Sequence, residues 1–340
     1  MEDLQNEIIV SISCLTYNHG PYIRQCLDGF MMQQCDFKFE VLINDDASTD
    51  GTQNIIKEYQ ERYPDIIKPI FQKENQYSKG VRGMNQKYNF NRAKGKYIAM
   101  CEGDDYWIDP LKLQKQVDFL EENSNIKFCY TDFSILHQKS GKIQNALFKT
   151  KPQQYRHPID QIDFLKNMLY IAPCTWLFEK ELIFKLVDSS NHSDGTFHLI
   201  LELLKYTKLG FIPDCTTVYR DLEESASHST SSFKQMKIRE GLYRTQKKHL
   251  EKINDRTGMF KEVEECFYKD VVSIIFASSD RDEIKQLNQY IFENYNSDLY
   301  NEILLDESYE KYQKLRMSTS YNLGLKIITP LANLKSLFIK

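Results

Sequence analysis

Over its first 130 residues the chain alternates short β-rich apolar runs with stretches of helical periodicity, and that alternation leaves few folds open. Ile8 to Leu15 reads as a buried strand, closed by the turn Asn18-His19-Gly20-Pro21. Pro21 opens a helix with Ile23, Cys26, Leu27 and Phe30 on one face. Phe39 to Ile43 is a second strand; the polar turn Asn44 to Gly51 follows, then a helix with Ile55, Ile56 and Tyr59 inward. Ile66 to Phe71 and Lys96 to Cys101 are the third and fourth strands. Asp109-Pro110 then starts a helix that buries Leu113, Val117 and Leu120, and Ile126 to Tyr130 is the fifth strand. Strict alternation predicts an α/β fold, a mostly parallel sheet with helices on both faces.

Beyond residue 131 the pattern is mixed, with strands at Cys174 to Phe178 and Thr216 to Tyr219 and an amphipathic helix from Phe197 to Tyr206. The polar loop at 225–232 marks a boundary. After it, Phe260, Val263, Phe267, Val271 and Ile274 recur at helical spacing, as do Ile284, Leu287 and Ile291. The expected organisation is one domain over 1–225, with halves at about 8–130 and 131–225, and a helical C-terminal extension over 226–340.

A net charge of -4 gives no basic face for nucleic acid. Eight cysteines without a CxxC pair, most among apolar neighbours, fit reduced buried thiols better than disulfides or zinc. The acidic, polar start lacks the regions of a signal peptide, and no run approaches the ~20 apolar residues of a spanning helix. A cytoplasmic protein is expected. Residues 318–340 carry Lys326, Lys335 and Lys340, no acid, and the stripe Leu331, Leu334, Leu337 and Phe338. That tail reads either as an interfacial helix at the inner face of the cell membrane or as a helix packed on its own domain.

Ligands of a parallel sheet bind beyond the carboxyl ends of its strands. Three polar segments fall there: Thr16-Tyr17-Asn18, Asp45 to Asp50, and Glu102-Gly103-Asp104-Asp105. Each alone is what a solvated turn or helix cap looks like, and capping suffices for Asp50. All three on one sheet edge point to a ligand. A nucleotide diphosphate needs its charge balanced, and a divalent cation, Mn²⁺ or Mg²⁺, is the simplest bridge where basic groups are few. Asp104 and Asp105 supply carboxylates on a turn that Gly103 lets bend; Lys79 and Arg82 read equally as charge for the diphosphate and as solvated loop cations. P-loop and dinucleotide fingerprints are absent.

The succession Val10-Ser-Ile-Ser-Cys-Leu-Thr-Tyr-Asn18, Asp45-Asp46-Ala-Ser-Thr-Asp-Gly-Thr52 and Cys101-Glu-Gly-Asp-Asp-Tyr-Trp107 resembles glycosyltransferase family 2. The resemblance covers about residues 8–225, is most specific from Tyr97 to Leu120, and is to bacterial enzymes that build surface polysaccharides. It implies the GT-A fold, whose sheet is Rossmann-like. It also implies an inverting, metal-dependent transfer from a nucleotide diphosphate sugar, a UDP-sugar, to a hydroxyl of a glycan or lipid-linked acceptor.

By the same resemblance Tyr17 stacks on the base, and Asp46, with Asp45 nearby, accepts from uracil N3–H. Asp104 lies near the donor ribose or sugar and shares the metal with Asp105, the main ligand. Asp194, ahead of the helix at Phe197, holds the place of the catalytic base, although an N-cap occupies the same position; Asp132 is the reserve. Trp107, Thr175, Tyr219 and Arg220 fall on the acceptor side, with His228 the histidine nearest to that pair. Leu15 and Ala47 depart from the family, which often has Pro and Gly there. Two other readings are a nucleotide-sugar-binding scaffold without turnover and a sugar nucleotidyltransferase, whose Gly-rich N-terminal loop residues 10–20 lack.

Overall fold

The computed structural model describes residues 7–149, 158–167, 170–186, 195–222, 231–253, 258–278, 280–295 and 298–307. The chain separates into two compact units, Met1–His228 and Ser229–Lys340. In the first, β1 (Ile8–Thr16), β2 (Lys38–Asp45), β3 (Ile67–Phe71) and β4 (Tyr97–Met100) lie parallel in the order β3-β2-β1-β4. The connections carry α1 (Ile23–Met31), α2 (Thr52–Arg62) and α3 (Met84–Tyr88). α1 buries Ile23, Cys26, Leu27 and Phe30, the face its periodicity predicts; α2 buries Ile56 and Tyr59 but leaves Ile55 half-buried. Pro69 sits on β3, at the sheet edge, where its missing N–H costs no ladder bond on the open side.

The rest of this unit comprises β5 (Tyr106–Trp107), α4 (Lys112–Glu122), β6 (Ile126–His137), β7 (Lys142–Gln144), α5 (Gln161–Asn167), β8 (Trp176–Glu179), α6 (Glu181–Phe184), α7 (Gly195–Leu203) and β9 (Lys208–Asp221). Here the sheet is mixed rather than mostly parallel. It continues β4-β8-β6-β9-β5, with β8 antiparallel to both its neighbours and β5 antiparallel to β9. An apolar run such as Trp176-Leu177-Phe178 does not encode its own direction. It fills a slot between two strands, where Phe178 pairs with Ile98 on one side and Phe128 on the other.

β9 is far longer than the expected Thr216–Tyr219 because Pro213 and Asp214 do not end it. Ile212 pairs with Thr131 and Cys215 with Asp132, so the two intervening residues bulge out of the ladder. The exposed Asp214 carboxylate then meets Lys115 Nζ at 2.7 Å.

The second unit contains α8 (Ser232–Lys252), α9 (Met259–Ala277) and α10 (Arg281–Asn294). Val263, Phe267 and Val271 are buried along α9, and Leu287 and Ile291 along α10, while Phe260, Ile274 and Ile284 are half-buried. Tyr243 stacks on Phe267 with centroids 4.6 Å apart. Buried Glu240 accepts from Tyr290 and Tyr295 hydroxyls at 2.7 and 2.6 Å. All eight cysteines are free. No helix among the described residues is long and apolar enough to cross a membrane, and residues 318–340 lie outside them.

Candidate active site

The carboxyl ends of β1, β2 and β4 are knitted by backbone bonds. Cys101 N–H donates to Ser13 O at 3.1 Å, Gly103 N–H to Leu15 O at 2.9 Å, and Asp46 N–H to Thr16 O at 2.9 Å. Side chains finish the weave. Asn18, at φ 54°, donates its N–H to Ser48 Oγ at 2.8 Å, and its Oδ1 accepts from Thr49 N–H at 2.9 Å. Asp50 accepts from Thr52 N–H and hydroxyl at the start of α2, at 3.1 and 2.6 Å, and also from Gly20 N–H at 2.8 Å. Gly103 is required by close approach rather than by a bend: a β-carbon there would sit 2.8 Å from Thr16 Oγ1 and 2.9 Å from His19 Nδ1.

Tyr17 projects from this edge 46% exposed, as a stacking surface must be. Asp46 is buried, and its two oxygens accept from Gln76 N–H at 2.7 Å and Tyr77 N–H at 3.0 Å, which pins the loop after β3. A carboxylate oxygen has a second lone pair, so each can take a further donor. One oxygen of Asp45 accepts from Ser48 N–H at 3.0 Å and Gln53 Nε2 at 2.6 Å. Arg82 turns onto this loop: its guanidinium lies 4.2 Å from the Tyr77 ring centroid, and Nη1 donates to Tyr77 O and Val81 O, each at 3.0 Å. Lys79 pairs with Glu74 on the surface.

Four buried side-chain atoms have no hydrogen-bond partner among the described residues: Thr16 Oγ1, His19 Nδ1, Asn44 Nδ2 and Asp45 Oδ1. All belong to the ends of β1 and β2 and the loop after β1. Buried polar atoms are almost always paired, so their concentration here makes this edge the candidate place for a ligand.

The acidic turn lies beside them. Asp105 is 1% exposed, and its Oδ1 accepts from the Arg220 backbone N–H at 2.8 Å. Burial, then the Asp104 charge, pushes its carboxyl well above the usual carboxylate range. The same two causes raise Glu102 to about 7. His19 Nε2 stands 3.8 Å from Asp104 Oδ2, and burial lowers its pKa despite the charges of Asp104, Asp50 and Asp45. Sequence reasoning treated His19 as a turn residue, and nothing in its local pattern set it apart.

Arg220 is not presented to an acceptor. It is buried, and Nε donates to Asp104 O at 2.7 Å, Nη1 to Gln138 Oε1 at 2.7 Å and Nη2 to Gln25 Oε1 at 2.8 Å. Tyr22 and Tyr106 rings flank it at 4.6 and 5.2 Å. It braces the acidic turn from behind. Trp107, 2% exposed, is likewise core: Nε1 donates to Cys174 O at 2.9 Å and its ring meets Phe30 edge-on. Thr175 is buried and donates to Ala172 O at 2.7 Å. Both lack the exposed face that an acceptor-side contact needs. Tyr219 is half-buried beside Tyr170, with centroids 5.5 Å apart.

Asp132, the reserve base, is fully buried and accepts backbone N–H bonds from Phe133 and Phe148 on Oδ1, at 2.8 and 3.0 Å, and from Lys149 on Oδ2 at 3.0 Å. It holds a loop and has no open side. Asp194 and His228 lie outside the described residues.

Comparison with known proteins adds the family. The model of glycosyl transferase family 2 matches residues 11–185. An uncharacterized protein of Mycobacterium tuberculosis is 44% identical over 133 residues, which is 39% of this chain and only 37% of that protein's length. The putative teichuronic acid biosynthesis glycosyltransferase TuaG of Bacillus subtilis is 28% identical over 221 residues, 64% of this chain and 81% of TuaG. Among solved structures, S. aureus TarS 1-349 in complex with UDP-GlcNAc superposes with TM-score 0.57 at 15% identity, covering 89% of this chain and 92% of that one. That likeness confirms the GT-A fold. The chain belongs to glycosyltransferase family 2.

Proposed function

We propose that the chain is an inverting, metal-dependent glycosyltransferase that moves a sugar from a UDP-sugar to a hydroxyl of a glycan or lipid-linked acceptor in polysaccharide synthesis. The observation that carries this is the buried acidic turn: carboxyls crowded at Glu102, Asp104 and Asp105, raised at Asp105 and Glu102 by burial and mutual charge, at the edge where Tyr17 is exposed. An all-oxygen donor set with excess negative charge fits a hard divalent ion, Mn²⁺ or Mg²⁺, and Asp105 with Asp104 would hold it. Bound there, such an ion supplies charge neutralisation for the departing diphosphate.

The chain's own groups do the rest. Tyr17 carries the base, Asp46 with Asp45 accepts from it, and Asp104 faces the ribose or sugar. Arg220 keeps the turn in shape through the Asp105 carboxylate and the Asp104 carbonyl. Asp194, ahead of α7, takes the proton of the acceptor hydroxyl as it attacks the anomeric carbon. Residues 1–225 form the catalytic domain and 226–340 an extension, with the chain in the cytoplasm. Support for the donor comes from the UDP-GlcNAc held by the TarS structure, and for the pathway from the teichuronic acid role in TuaG's name.

The test is UDP release from a panel of UDP-sugars with a glycan acceptor, with and without Mn²⁺, with the product anomer read by NMR. Metal-dependent release with an inverted anomer, lost in Asp194→Asn, is expected. UDP binding without any turnover would instead favour the scaffold reading.

A further inference from the structure

We propose that Tyr77 is a second aromatic contact for the donor's nucleoside base, alongside Tyr17. This rests on reading the β1 and β2 ends as a nucleotide site, and it adds a residue from the loop after β3 that the motifs do not mark.

Two large aromatic side chains on this edge are about half exposed: Tyr17 at 46% and Tyr77 at 50%. Both are tied to Asp46. Its backbone N–H donates to the carbonyl of Thr16, the residue before Tyr17, and its Oδ2 accepts from the N–H of Tyr77 itself. Both exposed tyrosines are therefore anchored, through Thr16 and through the Tyr77 N–H, at Asp46, the residue read here as accepting from a base.

Tyr77 is also held still. The Arg82 guanidinium lies 4.2 Å from its ring centroid and is anchored to the carbonyls of Tyr77 and Val81, so a cation backs one face of the ring. A tyrosine pinned through its backbone and braced through its ring loses little freedom when something stacks on it. Bases present π-faces to such rings, and the contact tolerates any base, so it supplies affinity while Asp46 supplies discrimination. Arg82 thereby serves the nucleotide through Tyr77.

The experiment is titration calorimetry on the full chain with Mn²⁺ present, comparing UDP with inorganic pyrophosphate, which has no base. Wild type, Tyr77→Ala, Tyr77→Phe and Tyr17→Ala are compared, each checked for fold by circular dichroism. Tyr77→Ala is expected to weaken UDP by about tenfold or more, leave pyrophosphate unchanged, and be restored by Tyr77→Phe. UDP binding equal to wild type in Tyr77→Ala, while Tyr17→Ala is weakened, would overturn the Tyr77 contact and leave the nucleotide reading standing. Equal weakening of UDP and pyrophosphate would overturn it too, as a loop effect. A wild-type chain that binds no UDP would remove the nucleotide reading itself.

Discussion

At the ends of β1 and β2, Thr16, His19, Asn44 and Asp45 keep buried atoms that nothing else among the described residues satisfies. On β6 and β9, Asp132 and Arg220 spend every interaction described above on the protein itself, one on three backbone N–H groups and the other on a carbonyl and two glutamines. In sequence these residues look alike, since each is a polar group near the end of an apolar run. The partner separates them. On the proposed reading the unsatisfied edge takes a ligand while Asp132 and Arg220 serve the fold, so substitutions at the acidic turn beside that edge and at Asp132 should fail differently.

The largest effect is expected at Asp105. Asp105→Asn keeps an oxygen for the Arg220 N–H but removes the charge, and turnover should fall by at least about 100-fold. The metal-free protein should at the same time become more stable. Burial raises this carboxyl's pKa above its unfolded value, so at neutral pH, where the unfolded chain ionises it, the folded state bears a cost that the amide does not. Initial rates and scanning calorimetry without metal read the two effects; a joint loss of activity and stability would place Asp105 with the structural set.

Asp132→Asn should behave in the opposite way. Its new amide N–H₂ faces a backbone N–H donor, at a cost of about 1–3 kcal/mol, while the folded fraction keeps its turnover. A normal melting temperature with turnover abolished would return Asp132 to the role of base.

Lys112 sharpens the structural side. It is fully buried on α4, bonded to Gln116 Oε1, with Nζ 4.4 Å from the Trp107 ring centroid, and burial lowers its pKa to about 8 from 10.5. Below pH 8 both states carry the proton and the folded one bears the cost of burying it, up to roughly 3 kcal/mol at 1.36 kcal/mol per unit. Between pH 8 and 10.5 the folded chain sheds its proton before the unfolded one, so stability should rise with pH. Urea denaturation at several pH values should show that rise in wild type, and Lys112→Met should abolish it while gaining stability at pH 7. An unchanged slope in the variant would show that the rise has another source.

The smallest effect is at Ala47, whose φ of 64° is a glycine conformation. Ala47→Gly should gain about 0.5–1 kcal/mol in chemical denaturation with the UDP affinity unchanged. A loss of stability would mean that the side chain's packing outweighs its strain.

The parallel half was legible in sequence because each strand is short, apolar and closed by turn residues, so β1 to β4 fall where the pattern puts them. β5 was not, since Tyr106-Trp107 is two residues long and becomes a strand only by pairing with Val218 and Thr217 on β9. β9 was legible only near its end, because the strand runs through a bulge at Pro213-Asp214, which no local apolar pattern marks. The carboxylates of the site were visible from their place at strand ends. What held them was not: Arg220 reaches the acidic turn across 115 residues of chain, a contact that only the assembled sheet creates. Asp132 likewise gave no sign that Phe148 and Lys149 would return to it.

Titration of UDP into wild type and Asp105→Asn, each with and without Mn²⁺, tests the central claim most directly. The account predicts binding by wild type that tightens by at least about tenfold with Mn²⁺, and a variant whose affinity no longer responds to the metal. Equal UDP affinity in all four titrations would contradict it, because the acidic turn would then have no part in holding the donor.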